Sequence, residues 1–325
     1  MKKNHTRNFL LILFLIGLFV GCQSNTEPTA SPPADKSEEK AQAILLTQTG
    51  EFDPNDKTKI SGDYVARQRL IVPQNLEPQN KWVMFEGPVL ENDLIAYRFY
   101  MDSRHRNDIY GKRVKDLVMD TVGWQYHDIM DWGSDILKVN QSLGIGSPAI
   151  WYQDSLYALS EYDKKIVEVT SPNAETASVR TTLTGLKVGD QKFDLIQDWS
   201  LRAGEPWSTI RLEVVDGQLP EGMYFATGIV KHLEDLTAER ENNFLYAFTW
   251  GEQSYHNENM GMGLVMNLDD QPEKVPNIWS HTYVFKNPRS EMSYQFLAAW
   301  ERDVIGVKDA GAFENLIQQA CKPLQ

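Results

Sequence analysis

Cysteine is nearly absent from this chain. Only Cys22 and Cys321 occur in 325 residues, which excludes a disulfide framework and a metal site built on cysteine pairs. Positive charge is short as well: 32 Lys and Arg against 45 Asp and Glu give a formal net charge of −13. A surface of that sign repels phosphate backbones, so nucleic acid is not an expected partner. Long apolar runs are missing. The one charge-free apolar run, Phe9 to Val20, is shorter than the roughly 20 residues that span a bilayer as a helix. There is no Gly-x-Ser-x-Gly nucleophile elbow, no Gly-x-x-x-x-Gly-Lys phosphate loop and no His-Glu-x-x-His zinc helix. A regular alternation of strand and helix is also missing, which argues against a doubly wound nucleotide fold.

What is present begins with an address. Lys2, Lys3 and Arg7 precede the apolar run, as in the n-region and h-region of an export signal. The run ends in Phe19-Val20-Gly21-Cys22. This resembles the lipobox of bacterial lipoproteins, with Phe19 in place of the usual leucine. The resemblance implies cleavage after residue 21, a lipid on Cys22, and a membrane contact made through that lipid alone. Gln23, rather than Asp, after the cysteine points to the outer membrane, with the protein facing the periplasm or the surface. Residues 22–42 hold Ser, Thr, Pro, Glu and Lys and almost no large apolar side chain, so they read as a flexible tether.

Residues 43–325 read as one all-β domain. Residues 192–202 alternate Phe193, Leu195, Trp199 and Leu201 with polar side chains, and 207–214 alternate Ile210, Leu212 and Val214. Further strands are expected at 82–85, 94–101, 149–152, 166–170, 178–186, 223–230, 244–250, 263–268, 282–285 and 293–298. Gly, Asn, Asp and Pro punctuate them, which suggests an antiparallel sandwich. Helix is expected at the C-terminal end, where Asp309 can cap an apolar stripe of Ala312, Phe313, Leu316, Ile317 and Ala320, and in a short piece over 112–120. Nine Trp, 13 Tyr and 13 Phe serve either core packing or stacking on sugar faces.

The histidines are the candidate chemistry. His127 lies in Trp124-Gln125-Tyr126-His127-Asp128, a run that mixes titratable and aromatic groups without a strand or helix period. On β scaffolds such loops often carry function; the alternative is a histidine bonded to a backbone carbonyl. His232 follows an apolar strand and Lys231, and alternation sends those two to opposite faces. Tyr255 and His256 lie in an expected loop. His105, between Arg104 and Arg106, belongs either to a solvated loop or to a carboxylate-binding patch. Gly144-Ile145-Gly146 reads as a tight turn. Asn257-Glu258-Asn259 and Asp269-Asp270 match no calcium loop, so no cofactor is expected, although a divalent cation stays open.

Several strings taken in order resemble the domain of unknown function 4861 family. They are Tyr97-Arg98-Phe99-Tyr100, Asp108-Ile109-Tyr110-Gly111-Lys112, Tyr126-His127 through Asp131-Trp132-Gly133, Ser142-Leu143-Gly144-Ile145-Gly146-Ser147, and Thr227-Gly228-Ile229-Val230-Lys231-His232. The resemblance implies an exported protein of polysaccharide-degrading bacteria, a galactose-mutarotase-like antiparallel β-supersandwich with the helix packed on its sheet, and uronate dehydratases among the relatives. The implied partner is an acidic oligosaccharide or polysaccharide, and the implied reaction a β-elimination by a lyase or dehydratase. A non-catalytic glycan-binding lipoprotein and a sugar epimerase or mutarotase remain open. Elimination needs a cation to neutralise the sugar carboxylate, a base and a proton donor. His127, His232 and Tyr255 are the candidates for proton transfer. Arg98, Arg104, Lys138, Lys231, Trp132 and His256 are the candidates for substrate contact. His127 and His232 are expected to share a cleft with Arg98 or Arg104 and Tyr255.

Overall fold

The structure, a computed structural model, describes residues 40–322 apart from Pro172 and Asp216. The expected export signal, Cys22, the tether up to residue 39 and Pro323 lie outside the described residues. The first strand is Ala41–Ile44, antiparallel to Val89–Asn92. Ala41 is already paired with Asn92 in that ladder.

Three main sheets carry the fold. The largest has nine strands and is antiparallel throughout its named pairs. Its order runs Thr237–Glu241, Phe244–Glu252, Asn259–Asn267, Glu291–Trp300, Trp207–Val214, Gln191–Arg202, Thr176–Val188, Lys164–Val169, Arg69–Ile71. A five-stranded sheet runs Ala41–Ile44, Val89–Asn92, Ile95–Tyr100, Arg106–Lys112, Gly133–Asp135. A second five-stranded sheet is built around Tyr224–Val230 and Ser280–Phe285. The core lies between the large sheet and the two smaller ones. Leu195, Trp199, Ile210 and Tyr294 of the first meet Tyr97, Phe99, Ile109, Phe225 and Ile229 of the others in one buried cluster. The expected all-β antiparallel sandwich is the observed class.

The alternating sequences explain the pairing. In Gln191–Arg202, Leu195, Gln197, Trp199 and Leu201 are buried while their neighbours are half-buried or exposed. A one-residue slip would turn that whole set to the other face. The C-terminal helix is Ala310–Ala320. Asp309 accepts a hydrogen bond from the Ala312 amide at 2.8 Å, and Phe313, Ile317 and Ala320 are buried on the large sheet. Gly144 and Gly146 both have positive φ, and a Cβ on either would strike the Asn107 carbonyl or the Phe296 ring. The tight-turn reading holds.

Two local expectations fail. Residues 84–86 form a 3-10 turn rather than part of a strand. Residues 112–120 contain no helix. The reason is Glu91, whose carboxylate accepts the Val118 and Met119 amides at 2.8 and 3.0 Å and the Lys112 ammonium at 2.8 Å. Those amides are thereby taken from any helical ladder.

Candidate functional site

The outer face of the first five-stranded sheet holds a buried polar cluster. Along Ile95–Tyr100 the side chains of Ile95, Tyr97 and Phe99 enter the main core, Ala96 and Arg98 point the other way, and Tyr100, at the margin of the core, brings its hydroxyl to Arg98 and Asp108. Register then sets the partners. Arg98 lies opposite Asp108, and Tyr110 lies opposite Asp135 on the short edge strand. The irregular segment 113–132 closes over this face with Met119, Val122 and Tyr126.

Arg98 is fully buried. Its guanidinium donates to Asp108, to the Tyr100 hydroxyl, and to Asp135 at 2.7 Å. The rings of Tyr100, Tyr110 and Tyr126 lie 4.3, 5.0 and 5.1 Å from it. Burial opposes the charge, but the tyrosines and carboxylates around it outweigh burial and hold Arg98 protonated. Its Nε and Nη1, with the Tyr110 hydroxyl, are buried without a hydrogen-bond partner in the protein. Burial and the nearby Asp108 push the Asp135 carboxyl well above its usual range, against the pull of Arg98.

Above this cluster sits a cavity of about 390 Å³, within the usual range for small-ligand sites. Its walls include Lys57, Lys81, Arg104, Trp124, Tyr126 and His127. In a strongly acidic chain this is a local concentration of cations. Arg104 bonds Glu86 and reaches Asp102 at 2.9 Å through Nε, and it lies 3.6 Å over the Tyr100 ring. Lys81 lies 5.6 Å from the Trp124 ring. The His127 ring is half-exposed, with Nδ1 3.3 Å from the Asp135 carboxylate. Burial first, and then the charge of Arg98, lower the His127 pKa from 6.5. Tyr126 packs on His127 with centroids 4.6 Å apart, and burial pushes its pKa up to about 12. Tyr255 stacks on the far side of His127 at 5.5 Å.

A family model for a domain of unknown function, DUF4861, matches residues 23–325. The chain belongs to the DUF4861 family. The family's description names no reaction, so the chemistry of this DUF4861 domain has to come from its own residues. No curated protein matches the sequence. Among solved structures, the chain is similar to a Klebsiella pneumoniae subsp. pneumoniae protein provisionally named an aldose 1-epimerase. Identity is 8% and the TM-score 0.39, over 86% of this chain and 95% of that one.

The DUF4861 site brings together only part of the expected set. His127 and Arg104 line the cavity, and exposed Tyr255 adjoins it with Lys138 5.0 Å from its ring. Arg98 lies beneath the floor, so the expectation that it touches substrate is corrected: its side chain has no open face. His232 is not among the cavity walls. Its Nε2 sits 2.9 Å from the Lys138 carbonyl, which gives it the structural role of fixing that loop. Lys231 is paired with Glu234 at 2.7 Å, also away from the cavity. His256 bonds the Ser134 hydroxyl at 2.9 Å and braces the edge strand. Trp132 packs 6.1 Å from Tyr110 with its Nε1 buried, so Trp124 is the platform that faces the cavity. His105 is neither solvated nor a carboxylate site. It is fully buried with Nε2 2.7 Å from the Gln197 side chain, and burial drives its pKa well below 6.5. Among the described residues no group of three or more His, Cys, Asp or Glu side chains could hold a metal ion.

Sequence reasoning missed Asp108, Asp135, Tyr100, Tyr126 and Lys81 as site residues. One signal was available. Arg98 and Tyr100, then Asp108 and Tyr110, are polar groups two apart in strands whose residues are almost all buried. Polar side chains in such strands are buried and need partners.

Proposed function

We propose that this protein is a carbohydrate-active enzyme that performs β-elimination at a uronate residue of an oligosaccharide. The observation that carries this reading is His127. Its ring lines a cavity walled by Lys57, Lys81 and Arg104, its Nδ1 lies 3.3 Å from the Asp135 carboxyl, and its lowered pKa keeps it neutral near pH 7. A neutral, oriented imidazole is equipped to act as a general base. In the proposed step the carbon-5 proton passes to His127 Nε2. The electrons of the C–H bond form the carbon-4 to carbon-5 double bond, and the bond from carbon 4 to its oxygen breaks. Tyr126, held protonated by burial, donates a proton to the departing oxygen. Lys57 and Lys81 neutralise the sugar carboxylate, on which charge develops, beside Arg104, whose guanidinium is already bonded to Glu86 and Asp102. If the departing oxygen belongs to another sugar the enzyme is a lyase; if it is a hydroxyl the product is water and the enzyme a dehydratase.

The test is ultraviolet absorbance of unsaturated uronate during incubation with uronate oligosaccharides. His127→Ala should lower turnover by about 10²–10⁴-fold with little change in binding, the usual worth of general acid–base catalysis. The base works when neutral, so activity should fall on acidification, with a midpoint below 6.5. Saturable binding with no rise in absorbance would replace this reading with a glycan-binding one. Conversion of substrate without an unsaturated product would favour an epimerase.

A further inference from the structure

The outer face of the large sheet carries a second recess, remote from His127 in the topology. The C-terminal helix covers this face over Phe244–Glu252, Asn259–Asn267 and part of Glu291–Trp300. Beyond the helix the face stays open. Two cavities of about 330 and 360 Å³ lie there, and both are walled by Gln295. One extends toward Arg211, Ser293 and Arg289, and the other toward Thr209, Ser200 and Lys322. Register confirms that they share a face: Gln295 lies opposite Thr209, and Thr209 opposite Ser200.

Gln295 is the unusual residue. It is only 4% exposed, and its side-chain oxygen is buried without a hydrogen-bond partner. A buried amide left unpaired costs about 1–3 kcal/mol, and here it stands where the two cavities meet. The surrounding cations are already compensated, and Glu175 adds a carboxylate to one wall. Arg211 pairs with Glu291 at 2.6 Å, Arg289 with Asp270 at 3.2 Å, and Lys322 with Glu205 at 3.1 Å. An anionic ligand would have to break one of these pairs and would also face Glu175. A ligand that both donates and accepts without net charge can use the remaining lone pairs and N–H groups, together with the hydroxyls of Ser200, Thr209 and Ser293. Sugar hydroxyls have that property.

We propose that this groove is a second saccharide-binding site, selective for uncharged sugar units and centred on Gln295. It does not depend on the elimination chemistry. The test is calorimetric titration of the full-length protein with hexasaccharides of glucose and of mannose. Saturable binding of at least one is expected. Gln295→Leu should weaken it about tenfold, which is the loss of roughly one hydrogen bond, while Arg104→Ala leaves it unchanged. Should Gln295→Leu fail to fold, Ser293→Ala combined with Thr209→Val reads the same groove from its rim. The proposal is overturned if neither hexasaccharide binds, if Arg104→Ala abolishes binding that Gln295→Leu spares, or if a uronate hexasaccharide competes more tightly for the same site.

Discussion

The outer face of the large sheet is closed in part by the C-terminal helix, and the outer face of the first small sheet by the irregular segment 113–132. The first cover is apolar: Phe313, Ile317 and Ala320 meet Leu297, Ala299 and Val265. The second encloses an arginine, two aspartates and three tyrosines. Both exclude water from a sheet, yet only one uses the inexpensive means. Burying paired charge is often no better for stability than apolar packing of the same volume. Under the elimination proposed above, the cluster beneath the cavity would serve to position His127, whose Nδ1 lies 3.3 Å from Asp135.

Substitutions sharpen this contrast. Arg98→Met should have the largest effect on stability, about 3–5 kcal/mol, because it leaves Asp108 and Asp135 buried without their counter-charge; chemical denaturation measures it. A loss well under 1 kcal/mol would show that the cluster is not paired as described. Phe313→Ala on the opposite cover should cost up to about 3–5 kcal/mol by emptying a packed site. Activity per folded molecule should be unchanged there, whereas Arg98→Met should also reduce turnover in the protein that remains folded. Equal effects on activity would erase the distinction between the two covers. Asp309→Ala should have the smallest effect, about 1 kcal/mol from the lost N-cap, seen as a modest fall in Tm.

The ease of reading the two covers from sequence differed for the same reason. The helix was legible because its cap, its stripe and its period are local. Segment 113–132 was not, since its conformation is set by Glu91, which reaches from another strand to the amides of Val118 and Met119. The misplaced helix at 112–120 is a direct consequence. Among the candidate residues, His127 was marked by its aromatic, titratable neighbours. His232 had a comparable appearance but is bound to a backbone carbonyl, a difference made by chain folding alone.

The sequence by itself determined the strand-rich class, the alternation that fixes which faces are buried, the capped C-terminal helix and the overall acidity. All of these depend on residue type and on spacing within a few positions. Only the tertiary structure decided that Arg98 lies under the cleft rather than in it, that Asp135 lies beside His127, and that Lys57, Lys81 and Arg104 gather at one mouth. Those relations join residues tens of positions apart, through a register and a loop cover whose geometry no local pattern specifies.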